Sequence, residues 1–471
     1  MTEFMRQTDA FAWAMESDPR LRSTVVAVIL LDRSPDWDEL RYRFDVISRK
    51  FPVFRQRVVE SPPPAPPRWQ DCPDFDLDFH MRRVTAPRPG TLVSVLELAR
   101  LAQMEAFDRA RPLWKVTLID GLTNGAAAVL WTFHHSLTDG VGSVQIATTL
   151  FDSAERPQHR VELPTEPPML RTSWLDGYRD TLRYIARRAV STLTGAVELT
   201  AWLMNQGIRR PVATVAAAPA IVASVYRTVR PVNRTGSPLM KQRNLIRYLG
   251  VHEVSMPQLR GAAHRCGAAL NDAFIAGVTG GLRRYHEKHG VCIGDLHMTM
   301  PISLRTKVDE MGGNRITLMR FDVPAGIADP CERIKQTHER TGRVRRERPL
   351  PYTQAIAGAL NLMPRWYIGS ILRHVDFLAS NVGSIGAPES IGGALVRSAY
   401  AFGPTIGAAV NITLVTYADT CYLGIDIDSG AIPDHDVFRE CLIEGFDEVL
   451  ALAGTGSRPS PDRIQPALER G

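Results

Sequence analysis

The sequence predicts an α/β fold with mixed sheets, divided over two or three domains, and three observations carry that reading. The chain has 471 residues, more than one simple hydrophobic core organises. Apolar runs of strand length alternate with stretches of helical spacing through the first third and again through the last half. The composition, 44% hydrophobic and 23% charged, is that of an ordinary globular protein.

Taken in order, Thr24 to Leu31 reads as an apolar strand and Trp37 to Ser48 as a helix opened by Pro35 and Asp36. Ser61 to Pro67 is a proline-rich loop. Thr91 to Ala106 reads as a helix, Trp114 to Ile119 and Ala126 to Phe133 as strands, and Gly140 to Phe151 as a helix through Val144, Ile146, Ala147 and Leu150. Glu155 to Pro168 is polar and proline-containing, an exit from a first domain. In the last part Asn271 to His289 is helical, Leu296 to Leu304 and Arg315 to Val323 are strands, and Ile334 to Arg345 is a helix. Strands follow near Phe377 to Val382, Val410 to Tyr417 and Tyr422 to Ile427, before a final helix from Asp434 to about Leu452. The expected division is 1–165, 166–244 and 245–471, with no repeat visible between the parts.

The middle segment is set apart by charge. The whole chain carries +6, but Arg171 to Arg247 holds thirteen Lys or Arg against Asp176, Asp180 and Glu198. Its arginines are interleaved with Trp174, Tyr178, Tyr184, Leu193, Leu199 and Trp202, and no nucleic-acid-binding motif is present, so nucleic acid is not expected as a partner. The pattern reads as a basic helical linker lying on an anionic membrane surface or across a domain junction. Val212 to Tyr226 is apolar but interrupted by Pro219 and too short to span a bilayer, and burial at a junction is the reading it favours. The six cysteines, Cys72, Cys266, Cys292, Cys331, Cys421 and Cys441, form no CxxC pair and read as reduced thiols rather than a disulfide frame or zinc site. With charged residues scattered through the N-terminus and no apolar signal core, a cytoplasmic protein is expected, peripheral at most on the inner membrane face or on lipid bodies.

The chemistry concentrates in His134, His135, Ser136, Leu137, Thr138, Asp139 and Gly140, directly after the apolar run Ala127 to Phe133. Imidazole is the side chain whose ordinary pKa lies near working pH, so a histidine here can take a proton from a hydroxyl, amine or thiol and return it to a leaving group. Packed core residues and metal ligands are the competing readings. Adjacent strand residues point to opposite faces, so the two rings could not easily share one ion, and no metal is expected. The same alternation implies that one histidine faces a cavity and its neighbour faces packed protein. Asp139 would cap the helix that starts at the turn, and Gly140 would allow close helix-to-strand approach.

The run resembles the His-His-x-x-x-Asp-Gly motif of the CoA-dependent acyltransferase superfamily, and the chain is similar to the bacterial wax ester synthase/acyl-CoA:diacylglycerol acyltransferases. Thr8-Asp9-Ala10-Phe11, Phe75-Asp76-Leu77-Asp78-Phe79-His80 and Asp108-Arg109-Ala110-Arg111-Pro112-Leu113-Trp114 carry the likeness before the motif. Leu270-Asn271-Asp272, Pro301-Ile302-Ser303-Leu304-Arg305 with Gly313-Asn314, and Ser380-Asn381-Val382-Gly383 carry it afterwards. The resemblance implies two chloramphenicol-acetyltransferase-like domains forming a central channel. It implies direct acyl transfer from acyl-CoA, a substrate rather than a cofactor, to diacylglycerol or a fatty alcohol.

The resemblance also assigns roles. His135 is the general base and His134 its support. Asp139 is an organising residue paired with Arg305. Pro112, Leu113 and Trp114 pack near the channel. Asn271 and Asp272 open a helix, which they could simply cap. Ser380 and Asn381 are candidate donors to the oxyanion or to the acceptor. The chain departs from the family where Gly383-Ser384-Ile385-Gly386-Ala387-Pro388 replaces the usual Pro-Gly-Pro, a looser turn that leaves the acceptor open. A different hydroxylated lipid or an amine would keep the same chemistry. A silent acyl-CoA- or lipid-binding protein is the reading from another class, and the intact His135, Asp139 and Gly140 argue against it.

Overall fold

The computed structural model describes residues 3–152, 163–165, 175–187, 234–303, 316–346, 374–386 and 389–454. Its N-terminal part opens with β1 (Glu3–Phe4) and α1 (Gln7–Met15), then β2 (Thr24–Leu31) and α2 (Trp37–Lys50). Asp36 caps α2 by accepting the Glu39 N–H at 2.8 Å, as the sequence predicts. Next come β3 (Gln56–Val59), β4 (Arg68–Asp71), α3 (Leu77–His80), β5 (Met81–Thr85), α4 (Leu92–Met104), β6 (Trp114–Asp120), β7 (Ala127–His134) and α5 (Gly140–Ala147). The proline-rich stretch is the connection between β3 and β4.

The second part contains β8 (Arg247–Ser255), α6 (Met256–Arg265), α7 (Leu270–Lys288), β9 (Asp295–Ser303), β10 (Ile316–Pro324) and α8 (Pro330–Arg346). It continues with β11 (Phe377–Ile385), β12 (Ser390–Ile391), β13 (Ala394–Phe402), β14 (Val410–Tyr417), β15 (Thr420–Asp428) and α9 (His435–Leu450).

Two six-stranded sheets carry the molecule, ordered β12-β13-β2-β7-β6-β5 and β10-β9-β11-β14-β15-β8, beside a small β1-β4-β3 sheet. Both large sheets are mixed: β5 runs parallel to β6, and β11 runs parallel to β9 and β14, while the remaining pairings are antiparallel. β7, β14 and most of β15 are buried along their whole length because they lie inside a sheet with both faces covered, which is why they read as continuous apolar runs. In the second part, α7 and α9 cross so closely that a Cβ on Gly445 would lie 2.2 Å from the Gly281 nitrogen.

Two expectations change. First, β12 and β13 belong by sequence to the C-terminal part, yet β13 pairs antiparallel with β2 from Phe402↔Val26 to Val396↔Leu31. A boundary at residue 245 therefore separates the sequence but not the sheets, since residues 390–402 complete the N-terminal one. Second, Cys266 and Cys331 form a disulfide with Cα atoms 5.6 Å apart, against the expectation of six reduced thiols. Both flank α7, one at the end of α6 and one at the start of α8, a proximity that a separation of 65 residues conceals. Cys72, Cys292, Cys421 and Cys441 are free thiols. Residues 175–187 of the basic segment are helical, whereas Val212 to Tyr226 lies outside the described residues. Among the described residues no helix is long and apolar enough to cross a membrane.

Candidate active site

The histidine pair sits where the central strand β7 ends. Antiparallel register places Thr24 of β2 opposite His134. The main-chain N–H of His134 donates to the Leu113 carbonyl at 2.9 Å, and that of His135 donates to the Ser23 carbonyl at 2.8 Å. β7 thus ends at His134, and His135 begins the turn while its N–H still bonds back to the segment before β2. The turn is closed by the Leu137 N–H donating to the His134 carbonyl at 3.0 Å.

The two rings have different surroundings. His134 is fully buried, packed edge-on against Trp13 at 5.6 Å and Phe107 at 6.4 Å between ring centroids. Its Nδ1 accepts from the Ser136 N–H at 3.1 Å and lies 2.7 Å from Ser136 Oγ. A main-chain N–H can only donate, so the ring proton belongs on Nε2. That nitrogen faces Glu16 Oε2 at 3.3 Å. His135 is half-buried, and loss of hydration pushes its pKa below the ordinary histidine value, a shift partly offset by its own backbone and by the negative charge of Asp139. At neutral pH it is an uncharged imidazole, able to accept a proton.

Asp139 is buried and is the N-cap of α5, with Oδ1 accepting the Gly142 N–H at 2.7 Å. Arg305 lies outside the described residues. Helix α5, which Gly140 opens, packs against β11, so the strand carrying Ser380 and Asn381 lies beside the motif helix. Ser380 is half-buried and Asn381 exposed. Instead of a looser turn, Gly383 to Ile385 continue β11 against β14 after a register shift between Asn381 and Gly383, where Gly383 has φ +112° and its N–H donates to Asn381 Oδ1 at 3.2 Å.

The remaining residues support the scaffold. Pro112, Leu113 and Trp114 are buried at the head of β6. The Trp114 indole N–H donates to the Phe54 carbonyl at 2.8 Å, and His80 stacks on Trp114 with ring centroids 4.5 Å apart. Burial pushes the His80 pKa down to about 4. Asp272 is buried inside the C-terminal part, where it accepts from the Ala269 N–H at 3.0 Å and from the Thr341 hydroxyl at 2.7 Å, and lies 2.7 Å from His338 Nδ1. It caps α7 and ties it to α8, away from the histidines in its contacts. Asn271 is half-buried, with Nδ2 3.5 Å from Met300 Sδ.

Sequence reasoning missed Glu16, one residue past α1. Its carboxylate is 5% exposed, accepts the Ser23 N–H at 3.2 Å and lies 3.6 Å from Arg22 Nε. An acidic residue after Trp13, Ala14 and Met15 carries no sequence signal of burial; the contacts become visible only once α1 is folded against β7. Arg22 and Thr24 also line a cavity of about 110 Å³ at the seam between the two parts, facing Gln103, Arg247, Thr405 and Asp426. There burial raises the Asp426 pKa to about 6, with Arg247 and the amide of Gln103 opposing the shift.

Family models for the wax ester synthase/diacylglycerol acyltransferase catalytic domain and for its C-terminal domain match residues 5–274 and 312–449. The chain belongs to the wax ester synthase/diacylglycerol acyltransferase family. It is an acyltransferase of that type. A Mycobacterium tuberculosis protein named "Putative diacyglycerol O-acyltransferase" is 35% identical over 458 residues, covering 96% of this chain and 92% of the relative. Among solved structures, the wax ester synthase/diacylglycerol acyltransferase of Marinobacter aquaeolei VT8 aligns with a TM-score of 0.60 at 19% identity, over 96% of this chain and all of that one. The first condensation domain of the CDA synthetase aligns with a TM-score of 0.63 at 13% identity, over 97% of each chain. At those identities the structural likeness speaks for a shared fold.

Proposed function

We propose that this acyltransferase moves a long-chain acyl group from acyl-CoA to the free hydroxyl of diacylglycerol, making triacylglycerol, and that it also accepts fatty alcohols, making wax esters. His135 is the general base. The asymmetry of the histidine pair carries the reading: His134 is sealed, with Nδ1 accepting from Ser136 and Nε2 facing Glu16, whereas His135 is half-buried and uncharged at neutral pH.

In the proposed step His135 takes the hydroxyl proton as the oxygen attacks the thioester carbonyl, forming a C–O bond and a tetrahedral oxyanion. The oxyanion collapses by breaking the C–S bond, and the imidazolium returns its proton to the departing thiolate. The products are the ester and free CoA, and no acyl-enzyme forms. Ser380 and Asn381, on the strand beside α5, are the candidate donors to the oxyanion or acceptor. Asp139 and Gly140 hold the turn, and Arg305 is the proposed partner of Asp139.

Purified protein incubated with labelled palmitoyl-CoA and a panel of diacylglycerols, fatty alcohols and amines tests this. Ester products with diacylglycerol and alcohol, each matched by thiol release, are expected. Acyl-CoA binding with no acceptor-dependent product would instead identify a silent lipid-binding protein. The pH profile follows from the ring's surroundings. Because burial lowers the His135 pKa, the reactive neutral form persists as pH falls through the ordinary histidine range, and kcat/KM drops only below about pH 6.5. An acid limb centred above that value would contradict the assignment.

A second reading concerns where the acceptor is met, and helix 175–187 favours it. Leu175, Tyr178 and Leu182, each about half exposed, follow helical spacing on its outer side, with exposed Arg179, Arg183 and Arg187 among them. Thr181 is buried on the other side, and Tyr184 stacks on Phe4 and accepts from the Gln7 amide at 3.1 Å. An apolar stripe edged by arginine suits an anionic lipid surface. The protein should float with anionic vesicles, lose that binding at high salt, and lose most of it on Leu182→Asp. Equal recovery with neutral and anionic vesicles would remove this reading.

A further inference from the structure

We infer that Glu16 is a positioning residue for acyl transfer, one that acts on both histidines of the motif at once. The inference rests on His135 being the base. Glu16 Oε2 has two neighbours: His134 Nε2 at 3.3 Å and the Ser23 main-chain N–H at 3.2 Å. The carbonyl of that same Ser23 accepts the His135 main-chain N–H at 2.8 Å. One buried carboxylate therefore lies against the ring of the first histidine and, through the Ser23 residue, is linked to the backbone of the second.

Chemistry explains why a carboxylate suits this place. Ser136 commits His134 Nδ1 to accepting, so Nε2 carries the proton and needs an acceptor in a site without solvent. Glu16 Oε2 faces it at 3.3 Å, outside hydrogen-bond alignment but near enough for its charge to favour the Nε2–H form, and Arg22, 3.6 Å from Glu16, compensates that charge. Trp13 and Phe107 hold the ring edge-on and leave little room for another orientation. Locking the His134 tautomer locks the Ser136 turn, and that turn leads directly to Asp139 and α5. Without Glu16, the end of β7 loses its side-chain anchor and the segment opposite His135 loses a hydrogen bond. A displacement of the base by about 1 Å costs on the order of 100-fold in rate.

The test combines kinetics with ¹⁵N-histidine NMR on the full chain. Glu16→Ala is expected to lower kcat about 10- to 100-fold while KM for palmitoyl-CoA stays within about twofold, since no substrate contact is removed. Its His134 should lose the single Nε2–H tautomer of the parent protein. Glu16→Gln keeps an oxygen facing Nε2, so kcat should recover to within about fivefold, with the Nε2–H tautomer kept and its proton resonance moved upfield by loss of the neighbouring charge. A Glu16→Ala protein with unchanged kcat, or with the loss falling on KM, would overturn the inference. Should the alanine variant fail to fold, the Gln variant decides: an unshifted His134 Nε2–H resonance overturns the contact. The NMR signature does not depend on which residue is the base. If His135→Ala were fully active, the reading of the base would fail while the Glu16–His134 contact could still be measured.

Discussion

His135→Ala is expected to lower kcat for acyl transfer by about 10²- to 10⁴-fold, the range supplied by one positioned general base. The effect should fall on kcat and kcat/KM together, because the proton is moved in the transition state and not on binding. The fold should survive. The bonds that hold residue 135 in place include its main-chain N–H to Ser23, which alanine retains, and the ring is half-buried rather than packed in the core. A stability loss of about 1 kcal/mol is expected. His134→Ala makes the useful contrast. That change empties a sealed position between Trp13 and Phe107 and leaves the Glu16 carboxylate buried without its ring partner, so it should weaken the fold as well as the rate. Thiol release by His135→Ala at the parental rate, with folding confirmed, would sink the mechanism. Loss of stability without loss of kcat would assign His135 a packing role.

The elements closest to the chemistry were legible because their sequence signals are local. β2 and β14 occupy the predicted ranges, β7 ends within one residue of its prediction, and Asp139 caps α5 as its type and place imply. The two histidines do differ in burial, but His135 stands in the turn past β7, so strand alternation is not what separates them. What escaped depends on chain segments meeting from far apart. β13 alternates buried and exposed residues from Ala394 to Ser398 but loses that pattern beyond it, where Ala399 and Tyr400 are also buried against β2. Nothing local says that this strand crosses to the N-terminal sheet. The Cys266–Cys331 link and the approach of Glu16 to His134 are also pairings at a distance, and pattern within a window cannot report them. Asp272 shows the reverse limit: its motif carries a family resemblance, while its bond to Ala269 caps α7 and its bond to Thr341 ties α7 to α8.

The crossing strand makes Asp152→Ala the stability change with the largest expected effect. Asp152 is buried where the two parts of the chain interlock. Its Oδ1 accepts from Arg43 Nη2 of α2 at 2.7 Å, while Oδ2 accepts from the Ser390 hydroxyl at 2.7 Å and the Gly393 N–H at 3.1 Å. Its own main-chain N–H donates to the Ser390 carbonyl at 2.7 Å. The side chain therefore fastens the β12–β13 hairpin to α2, and β13 in turn borders β2, the strand paired with β7. Alanine removes three hydrogen bonds and leaves the Arg43 guanidinium, 6% exposed, with Glu39 as its ion-pair partner. Breaking a buried pair from one side costs about 3–5 kcal/mol, and the remaining Glu39 contact places the expected loss near the lower end, about 3 kcal/mol. The loss should appear as a lower urea midpoint. Asp152→Asn keeps acceptors for Ser390 and Gly393 and removes the charge, so it should cost about 1.5–3 kcal/mol, the worth of a hydrogen bond to a charged group. Pairing Asp152→Ala with Arg43→Met should recover part of the loss, because no buried cation is then left behind. Strict additivity of the two substitutions would show that the ion pair contributes no coupling. An unchanged midpoint in Asp152→Ala would show that the hairpin is held to the N-terminal sheet by the β13–β2 ladder alone.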